Sequence, residues 1–160
     1  MTDAPKPFPQ PTDLGAFLEL CAGEWMSLRS LFELSDGDDD WHTSERGEIN
    51  VTLLSAGGDD LGGLDVQSQQ GPSSQLKFFN DGVLRVTTAD AEPRQGQWQF
   101  WSDGSVELNL PGPNQGQIQE RISFTQANLR LRSTMSIDST GMPQEGSFYS
   151  EIRRVARPAA

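Results

Sequence analysis

Short runs of alternating apolar and polar residues, separated by turn-forming residues, occupy most of this chain. Ten such runs occur, at residues 25–34, 46–54, 63–69, 75–79, 83–89, 97–101, 105–110, 117–125, 128–137 and 147–155. Because side chains alternate between the two faces of a strand, this period predicts strands. Asn80-Asp81-Gly82 and Ser102-Asp103-Gly104 separate neighbouring runs, and Asp-Gly favours a tight hairpin turn. The pattern therefore predicts an all-β fold of about ten antiparallel strands.

One helical segment precedes the strands. Thr12 and Asp13 are good N-cap residues, and Gly23 is a suitable stop. Between them, apolar residues recur at helical spacing: Leu14, Phe17, Leu18 and Cys21. A sandwich and an up-and-down barrel both accommodate about ten short strands. Hairpins between consecutive strands and one leading helix favour an antiparallel barrel that the helix closes at one end, with room for one small ligand.

Proline at every second position marks the beginning of the chain, at Pro5, Pro7, Pro9 and Pro11. This spacing excludes a helix and predicts an extended, disordered lead over residues 1–11. Residues 12–157 are then expected to form a single barrel domain, because a chain of 160 residues suffices for one core and no internal repeat is visible.

Composition excludes several classes of function. A net charge of −11 disfavours binding to nucleic acid and to anionic membranes. Cys21 and His42 are too few to build a zinc site. Residues 36–40 have alternating carboxylates, but Trp41 stands where a calcium loop has glycine and Gly47 where it has glutamate, so we expect no metal. No signal peptide and no run of about 20 apolar residues is present. We expect a soluble protein of the cytoplasm or of a comparable compartment.

The segment Asn128–Thr134 carries the most informative charges. Arg130 and Arg132 share one strand face, about 6.5–7 Å apart, while Leu129 and Leu131 share the other. In one interpretation the arginines face solvent over a leucine core. In the other, both guanidinium groups lie inside the barrel and pair with the carboxylates of a ligand. Burial without partners would cost several kcal/mol, so the second interpretation requires an acidic ligand or acidic neighbours.

Two carboxylates on adjacent runs are candidates for such neighbours. Glu120 and Glu151 are either surface charges paired across strands or inward groups that neutralise an arginine or accept hydrogen bonds from a ligand. Cys21 lies on the apolar stripe of the helix, where a free cysteine is usually a small core residue. We therefore do not assign it as a nucleophile.

Motifs at both ends of the chain resemble the S-type phycobiliprotein lyases. The C-terminal part has Glu120-Arg121, then Asn-Leu-Arg-Leu-Arg at 128–132, then Ser-Phe-Tyr-Ser-Glu-Ile-Arg at 147–153. The N-terminal part has a helix that ends in Ala-Gly-Glu-Trp at 22–25 and is followed by Ser-Leu-Arg at 27–29. The motifs occur in the family's order and bracket nearly the whole predicted domain.

The resemblance implies a lipocalin-like or fatty-acid-binding-protein-like barrel that binds a bilin, an open-chain tetrapyrrole, and attaches it through a thioether to a cysteine of an apo-phycobiliprotein subunit. The bilin, phycocyanobilin or phycoerythrobilin, would be a substrate, with no permanently bound cofactor. The implied place is phycobilisome assembly in photosynthesis, in a cyanobacterial-type cytoplasm or a plastid stroma. A homodimer or a second lyase subunit is a further implied partner.

Carried over by motif, the resemblance also implies roles for individual residues. Glu120 and Glu151 would be the catalytic pair that contacts the pyrrole nitrogens or tunes their protonation. The propionates would be held by Arg130 and Arg132. Support for the bilin pocket would come from Arg29, Trp25 and Thr134.

The chain departs from the family pattern at three places. Leu31-Phe32 stands where a histidine pair is common, Tyr149 replaces a cysteine or serine, and residues 67–74 lack the family's tryptophans and methionine. Trp98 and Trp101 follow only later in the chain. An alternative therefore stays open: a non-catalytic carrier of bilin or of a fatty-acid-like ligand, or an accessory subunit of another bilin lyase.

Overall fold

In the computed structural model, which describes residues 7–34, 42–69 and 71–155, ten antiparallel strands close into a barrel. Each strand pairs with its sequence neighbours, and the first pairs with the last. The strands are β1 (Gly23–Glu33), β2 (His42–Leu54), β3 (Asp60–Ser68), β4 (Ser74–Phe79), β5 (Val83–Thr88), β6 (Arg94–Phe100), β7 (Val106–Pro111), β8 (Gln117–Gln126), β9 (Leu129–Ile137) and β10 (Pro143–Arg153). The prediction of an all-β barrel with one leading helix is confirmed, and the sandwich alternative is wrong.

Helix α1 (Leu14–Cys21) closes one end of the barrel. Oδ1 of Asp13 accepts a hydrogen bond from the amide of Ala16 at 2.8 Å, which satisfies one of the free amides of the first turn. The apolar stripe of α1 is buried, and Phe17 packs edge-to-face on Phe124 with ring centroids 5.7 Å apart. At the other terminus the guanidinium of Arg153 donates to the carbonyl oxygen of Leu20 at 2.5 Å and to that of Ala22.

Residues 8–11 lie against the barrel, whereas the sequence pattern predicts a disordered lead. Phe8 packs on the core, and Pro11 is buried. The side-chain amide of Gln10 donates to the carbonyl oxygen of Phe124 at 2.7 Å. Residues 1–6 and the acidic residues 36–40 lie outside the described part of the chain.

Cross-strand register decides which residues point into the barrel. Arg130 lies opposite Glu151, and Arg132 lies opposite Tyr149. All four side chains share the inward face, because residues opposite each other in an antiparallel pair point the same way. Leu129 and Leu131 therefore point outward. The interpretation with arginines inside the barrel is correct, and the one with a leucine core is wrong.

The outward leucines belong to an apolar area on β9, β10 and β1. Leu129 neighbours Ile152 on β10, and Ile152 neighbours Met26 on β1. Ile152 and Met26 are 57% and 53% exposed. Leu28 is also exposed and extends the area along β1. We call this area the outer apolar face. Among the described residues, no helix has the length and apolar character needed to cross a membrane.

Candidate functional site

A cluster of two arginines and two glutamates lies inside the barrel on β8, β9 and β10. Oε1 of Glu151 accepts a hydrogen bond from Nε of Arg130 and another from Nε of Arg132, both at 2.8 Å. Oε2 of Glu151 accepts from Nη2 of Arg132 at 3.2 Å. Nη1 of Arg132 donates to Oε1 of Glu120 at 3.0 Å. We call these four residues the arginine–glutamate cluster.

Glu151 is the most deeply placed member of the cluster, with 0% of its side chain exposed. Burial alone would raise the pKa of this carboxyl group. The charges and hydrogen bonds of Arg132 and Arg130 outweigh burial and hold the pKa of Glu151 below its usual range. Glu151 is therefore a carboxylate at neutral pH, and it joins the two guanidinium groups into one unit.

Arg132 faces the interior space and retains donor capacity. It is 17% exposed and uses one N–H on each of its three nitrogens for Glu151 and Glu120. A guanidinium has five N–H groups, so two remain for another partner. Burial would lower the pKa of Arg132, but the charges of Glu120 and Glu151 raise it, and the group stays charged. The ring of Tyr149 lies 4.0 Å from its guanidinium carbon.

Trp25 lies beneath the arginine–glutamate cluster and contacts it through Arg130. Arg130 is only 4% exposed, and its guanidinium lies 4.9 Å from the ring centroid of Trp25. Arg153 stacks on the same ring at 4.3 Å. The indole N–H of Trp25 donates to the carbonyl oxygen of Cys21 at 2.9 Å. These contacts tie the cluster to the end of α1.

Cys21 lies in the apolar core. Its side chain is fully buried on the apolar stripe of α1. Burial raises the pKa of the thiol above its usual value, and a thiol in that state is a poor nucleophile. The structure confirms the interpretation of Cys21 as a core residue.

The cluster faces a cavity of about 310 Å³, which we call the main cavity. Glu120, Arg130 and Arg132 are among its polar lining residues. Much of the rest is aliphatic, with Ile49, Leu64, Val66, Leu76, Val86 and Leu108 among the lining residues. An apolar hollow with a few convergent polar groups is the usual form of a small-molecule site.

A second hollow of about 270 Å³, the side cavity, adjoins the first and shares Ile49, Val66 and Arg132 with it. Arg29 and Tyr149 also line it. The guanidinium of Arg29 lies 3.8 Å from a carboxylate oxygen of Glu45 and 5.7 Å from the ring of Tyr149. Its Nε is buried and has no hydrogen-bond partner within the described residues.

The residues that the sequence assigns to the site divide into three groups. The main cavity is lined by Glu120, Arg130 and Arg132, and the side cavity by Arg29. Glu151 and Trp25 are buried behind the arginines and reach neither cavity. Thr134 lies directly opposite Glu120 on the neighbouring strand and shares its inward face.

Tyr149 and Arg94 are among the cavity-lining residues that the sequence analysis did not assign to the site. Tyr149 fills the space between Arg29 and Arg132, and Arg94 lines the main cavity from β6. Both lie on inward faces, because Tyr149 is opposite Arg29 on β1 and Arg94 is opposite Val86 on β5.

The later tryptophans do not replace the missing ones. Trp98 points inward, but its indole N–H donates to the carbonyl oxygen of Phe79 at 2.9 Å and its ring packs edge-to-face on Phe78. Trp101 lies under the guanidinium of Arg121, 5.0 Å from ring centroid to guanidinium carbon. Neither ring lines the main cavity or the side cavity.

Comparison by sequence gives consistent matches. A family model described as CpeS-like protein matches residues 79–154, which include the whole arginine–glutamate cluster. A protein from Paulinella chromatophora named chromophore lyase CpcS/CpeS 1 is 41% identical over 147 residues, which cover 92% of this chain and 91% of that protein.

Comparison by structure gives the same fold. The S-type phycobiliprotein lyase CPES from Guillardia theta superposes with a TM-score of 0.58 at 17% identity, over 93% of this chain and 100% of that one. A protein of unknown function from Nostoc punctiforme, of the DUF3598 family, gives a TM-score of 0.57 at 14% identity, over 96% of this chain and 54% of that one.

Proposed function

This chain belongs to the CpeS-like family of chromophore lyases, and we propose that it binds a bilin in the main cavity and attaches it through a thioether to a cysteine of a phycobiliprotein subunit. The observation that carries this proposal is the arginine–glutamate cluster, a set of ionised side chains held inside a barrel and facing an otherwise aliphatic hollow. A site of this kind suits a ligand that combines an apolar conjugated body with charged arms and N–H donors.

A linear tetrapyrrole has that combination. Its conjugated rings match the aliphatic wall, its pyrrole N–H groups match a carboxylate, and its two propionates match guanidinium groups. The main cavity alone is at the small end of the range for ligand sites, about 300–1,000 Å³. We therefore place the bilin across the main cavity and the adjoining side cavity, with Arg132 at the junction.

The proposed roles follow from which groups reach the cavity. The two free N–H groups of Arg132 bind a propionate. Glu120 lines the cavity and accepts hydrogen bonds from pyrrole N–H groups. Arg130 contributes positive charge to the lining of the main cavity. Glu151 is a positioning residue that acts through the two arginines, because its own oxygens are fully buried.

The reaction is the addition of a thiol across the ethylidene double bond of ring A. The carbon–sulfur bond forms as the electron pair of the double bond moves into the tetrapyrrole, which takes up the proton of the thiol, and no atom leaves. A protonated pyrrole system is the better electrophile, and nearby carboxylates favour that form. The chain contributes orientation and electrostatic stabilisation, with no covalent bond to itself.

The outer apolar face is the surface that we propose for contact with a second protein. A homodimer or a second lyase subunit would cover Met26, Leu28 and Ile152, which otherwise expose apolar side chains to water. The acceptor is an apo-phycobiliprotein subunit, and the reaction takes place where phycobiliproteins assemble, in a cyanobacterial-type cytoplasm or a plastid stroma. Phycocyanobilin and phycoerythrobilin are the two candidate bilins.

A second candidate function is an accessory, non-catalytic bilin-binding subunit. The observation that favours it is the aliphatic lining contributed by β3 and β4, where Leu64, Val66 and Leu76 offer no aromatic surface to stack on the bilin. A protein of this kind would shift the absorption spectrum of the bilin but would form adduct only together with a related subunit.

Reconstitution separates the two. Purified protein, phycocyanobilin or phycoerythrobilin and several apo-phycobiliprotein subunits are mixed, and the covalent adduct is measured by zinc-enhanced fluorescence in a denaturing gel. A lyase accelerates adduct formation over the spontaneous reaction and gives a single product. Spectral shifts without acceleration support the accessory function. The absence of both a spectral shift and an acceleration would contradict both functions.

A further inference from the structure

The arginine–glutamate cluster is electrically balanced. It holds two guanidinium groups and two carboxylates, and each arginine pairs with at least one glutamate at 3.0 Å or less. A bilin brings two further carboxylates into the barrel. The cluster therefore has donors for one propionate on Arg132 but no surplus positive charge to neutralise either acid arm.

The rim formed by β10, β1 and β2 does not supply that charge. Arg29 faces inward there, but it shares this wall with Glu45 at 3.8 Å. Glu33 and Glu145 lie opposite each other on β1 and β10, on the same inward-facing rows as Arg29 and Tyr149. This side of the opening is acidic on balance, and it disfavours a second carboxylate.

Arg94 is different in position and in surroundings. It begins β6 opposite Val86, on the face that also carries Gly96 and Trp98, and it lines the main cavity together with Glu120 and Arg132. Within the described residues no carboxylate lies within ion-pair distance of its guanidinium, which makes it an inward cation without a compensating charge. Its side chain is exposed, so it stands at the mouth of the cavity.

We propose that Arg94 binds one propionate of the bilin at the mouth of the main cavity, while Arg132 binds the other. This inference rests on the proposed function and adds to it a specificity residue that no sequence motif marks. β6 lies three strands from β9 around the barrel, so the two cations stand on different walls and can hold the two acid arms from different sides. A guanidinium fits a carboxylate with two parallel hydrogen bonds, which selects for the free acid over an ester.

The test compares phycocyanobilin with its dimethyl ester, in which both acid arms are neutral. Dissociation constants for the two compounds are measured by absorbance titration with the wild-type protein, with Arg94→Gln and with Arg85→Gln. Arg85 is the matched control, because it is also exposed but lies on β5 one residue from Leu84 and Val86, and so points to the outside of the barrel. Far-UV circular dichroism checks that every variant, including Arg94→Lys, folds like the wild type.

We expect Arg94→Gln to weaken binding of the free acid about five- to tenfold and to leave binding of the ester unchanged. Arg94→Lys retains the charge and should recover part of the loss. Arg85→Gln should match the wild type for both compounds.

The titrations distinguish a wrong assignment of Arg94 from a wrong proposed function. If the wild type binds phycocyanobilin but Arg94→Gln keeps the wild-type ratio between acid and ester, the assignment of Arg94 is wrong and the proposed function stands. If the wild type binds neither compound, the proposed function is wrong, and the assignment of Arg94 falls with it.

Discussion

Replacing Glu151 with glutamine removes the carboxylate that Arg130 and Arg132 share, and it keeps the size of the side chain. The amide oxygen can take the place of Oε1 and accept from both Nε atoms, which lie 2.8 Å away. The amide nitrogen must then take the place of Oε2, where it faces Nη2 of Arg132 at 3.2 Å, donor against donor. The substitution therefore loses one hydrogen bond outright and weakens two others.

The free-energy cost can be worked out from these contacts. Breaking a buried ion pair by removing one partner costs about 3–5 kcal/mol. The two surviving hydrogen bonds reduce this, so we expect Glu151→Gln to lower the free energy of unfolding by about 2–4 kcal/mol. For a domain of this size the melting temperature should fall by about 5–15 °C.

Urea denaturation followed by tryptophan fluorescence measures the change. Glu48→Gln is the matched control, since Glu48 also pairs with an arginine at 2.8 Å but both side chains are about half exposed, 42% for Glu48 and 52% for Arg154. That pair should contribute less than about 1 kcal/mol. Equal losses in the two variants would refute the conclusion that burial makes the Glu151 contacts strong.

The same variant separates the binding of bilin from its attachment. Without the charge of Glu151 the cluster carries one net positive charge, which attracts the acid arms but disfavours a protonated tetrapyrrole. We expect the rate of attachment to fall more than the affinity for bilin. Rate constants from the reconstitution and dissociation constants from absorbance titration test this, and a proportional loss of both would show that Glu151 has only a structural role.

Three further predictions follow from individual contacts. Arg132→Ala should weaken bilin binding by about 1.5–3 kcal/mol, because it removes charge-assisted hydrogen bonds to a propionate; unchanged affinity in an absorbance titration would remove Arg132 from the site. Since the pKa of Glu151 is lowered in the folded state, its stabilising contribution is present above the ordinary glutamate pKa, about 4.3, and is lost as the pH falls through the lower folded value. The difference in unfolding free energy between the wild type and Glu151→Gln should therefore shrink between pH 5 and pH 2.5, and a constant difference in urea denaturation would contradict this. Gly96→Ala should destabilise the barrel by about 1–3 kcal/mol, because the added Cβ would lie 2.1 Å from the carbonyl oxygen of Asn109. Gly57→Ala is the control and should leave stability unchanged, because no atom lies within 4 Å of its added Cβ. Equal urea midpoints for the two variants would contradict the close approach of β6 and β7.

Much of the fold could be predicted from the sequence, because strand period and turn residues are local signals. The ten runs correspond to the ten strands, and the predicted helix to α1. The largest boundary errors are the starts of β2, at His42, and of β10, which begins at Pro143 where the sequence indicates a turn. An irregular register between Pro143 and Glu145 accommodates the proline at the strand end, and such a bulge leaves no clear sequence signal.

The orientation of the arginines could not be decided from the pattern. A period of two places Arg130 and Arg132 on one face and Leu129 and Leu131 on the other, but both assignments of inside and outside satisfy it. The acidic partner Glu151 reaches Arg130 only through the pairing of β10 with β9, and the register that aligns them depends on the whole sheet.

Two residues that sequence reasoning missed, Arg94 and Tyr149, were missed for different reasons. Arg94 lies between the predicted runs 83–89 and 97–101, because Arg-Gln-Gly-Gln at 94–97 has no apolar alternation, although these residues pair with β5. Tyr149 was noticed only as a departure from a family motif. Its position between Arg29 and Arg132 follows from the closure of the barrel, which brings the last strand beside the first.

The structure of the protein with bilin bound tests the central claim most directly. The account predicts the tetrapyrrole inside the barrel, with pyrrole N–H groups within hydrogen-bond distance of Glu120, a propionate on Arg132 and the ethylidene of ring A open to an incoming thiol. A bilin seated on the outer wall of the barrel, with no contact to Glu120 or Arg132, would contradict it.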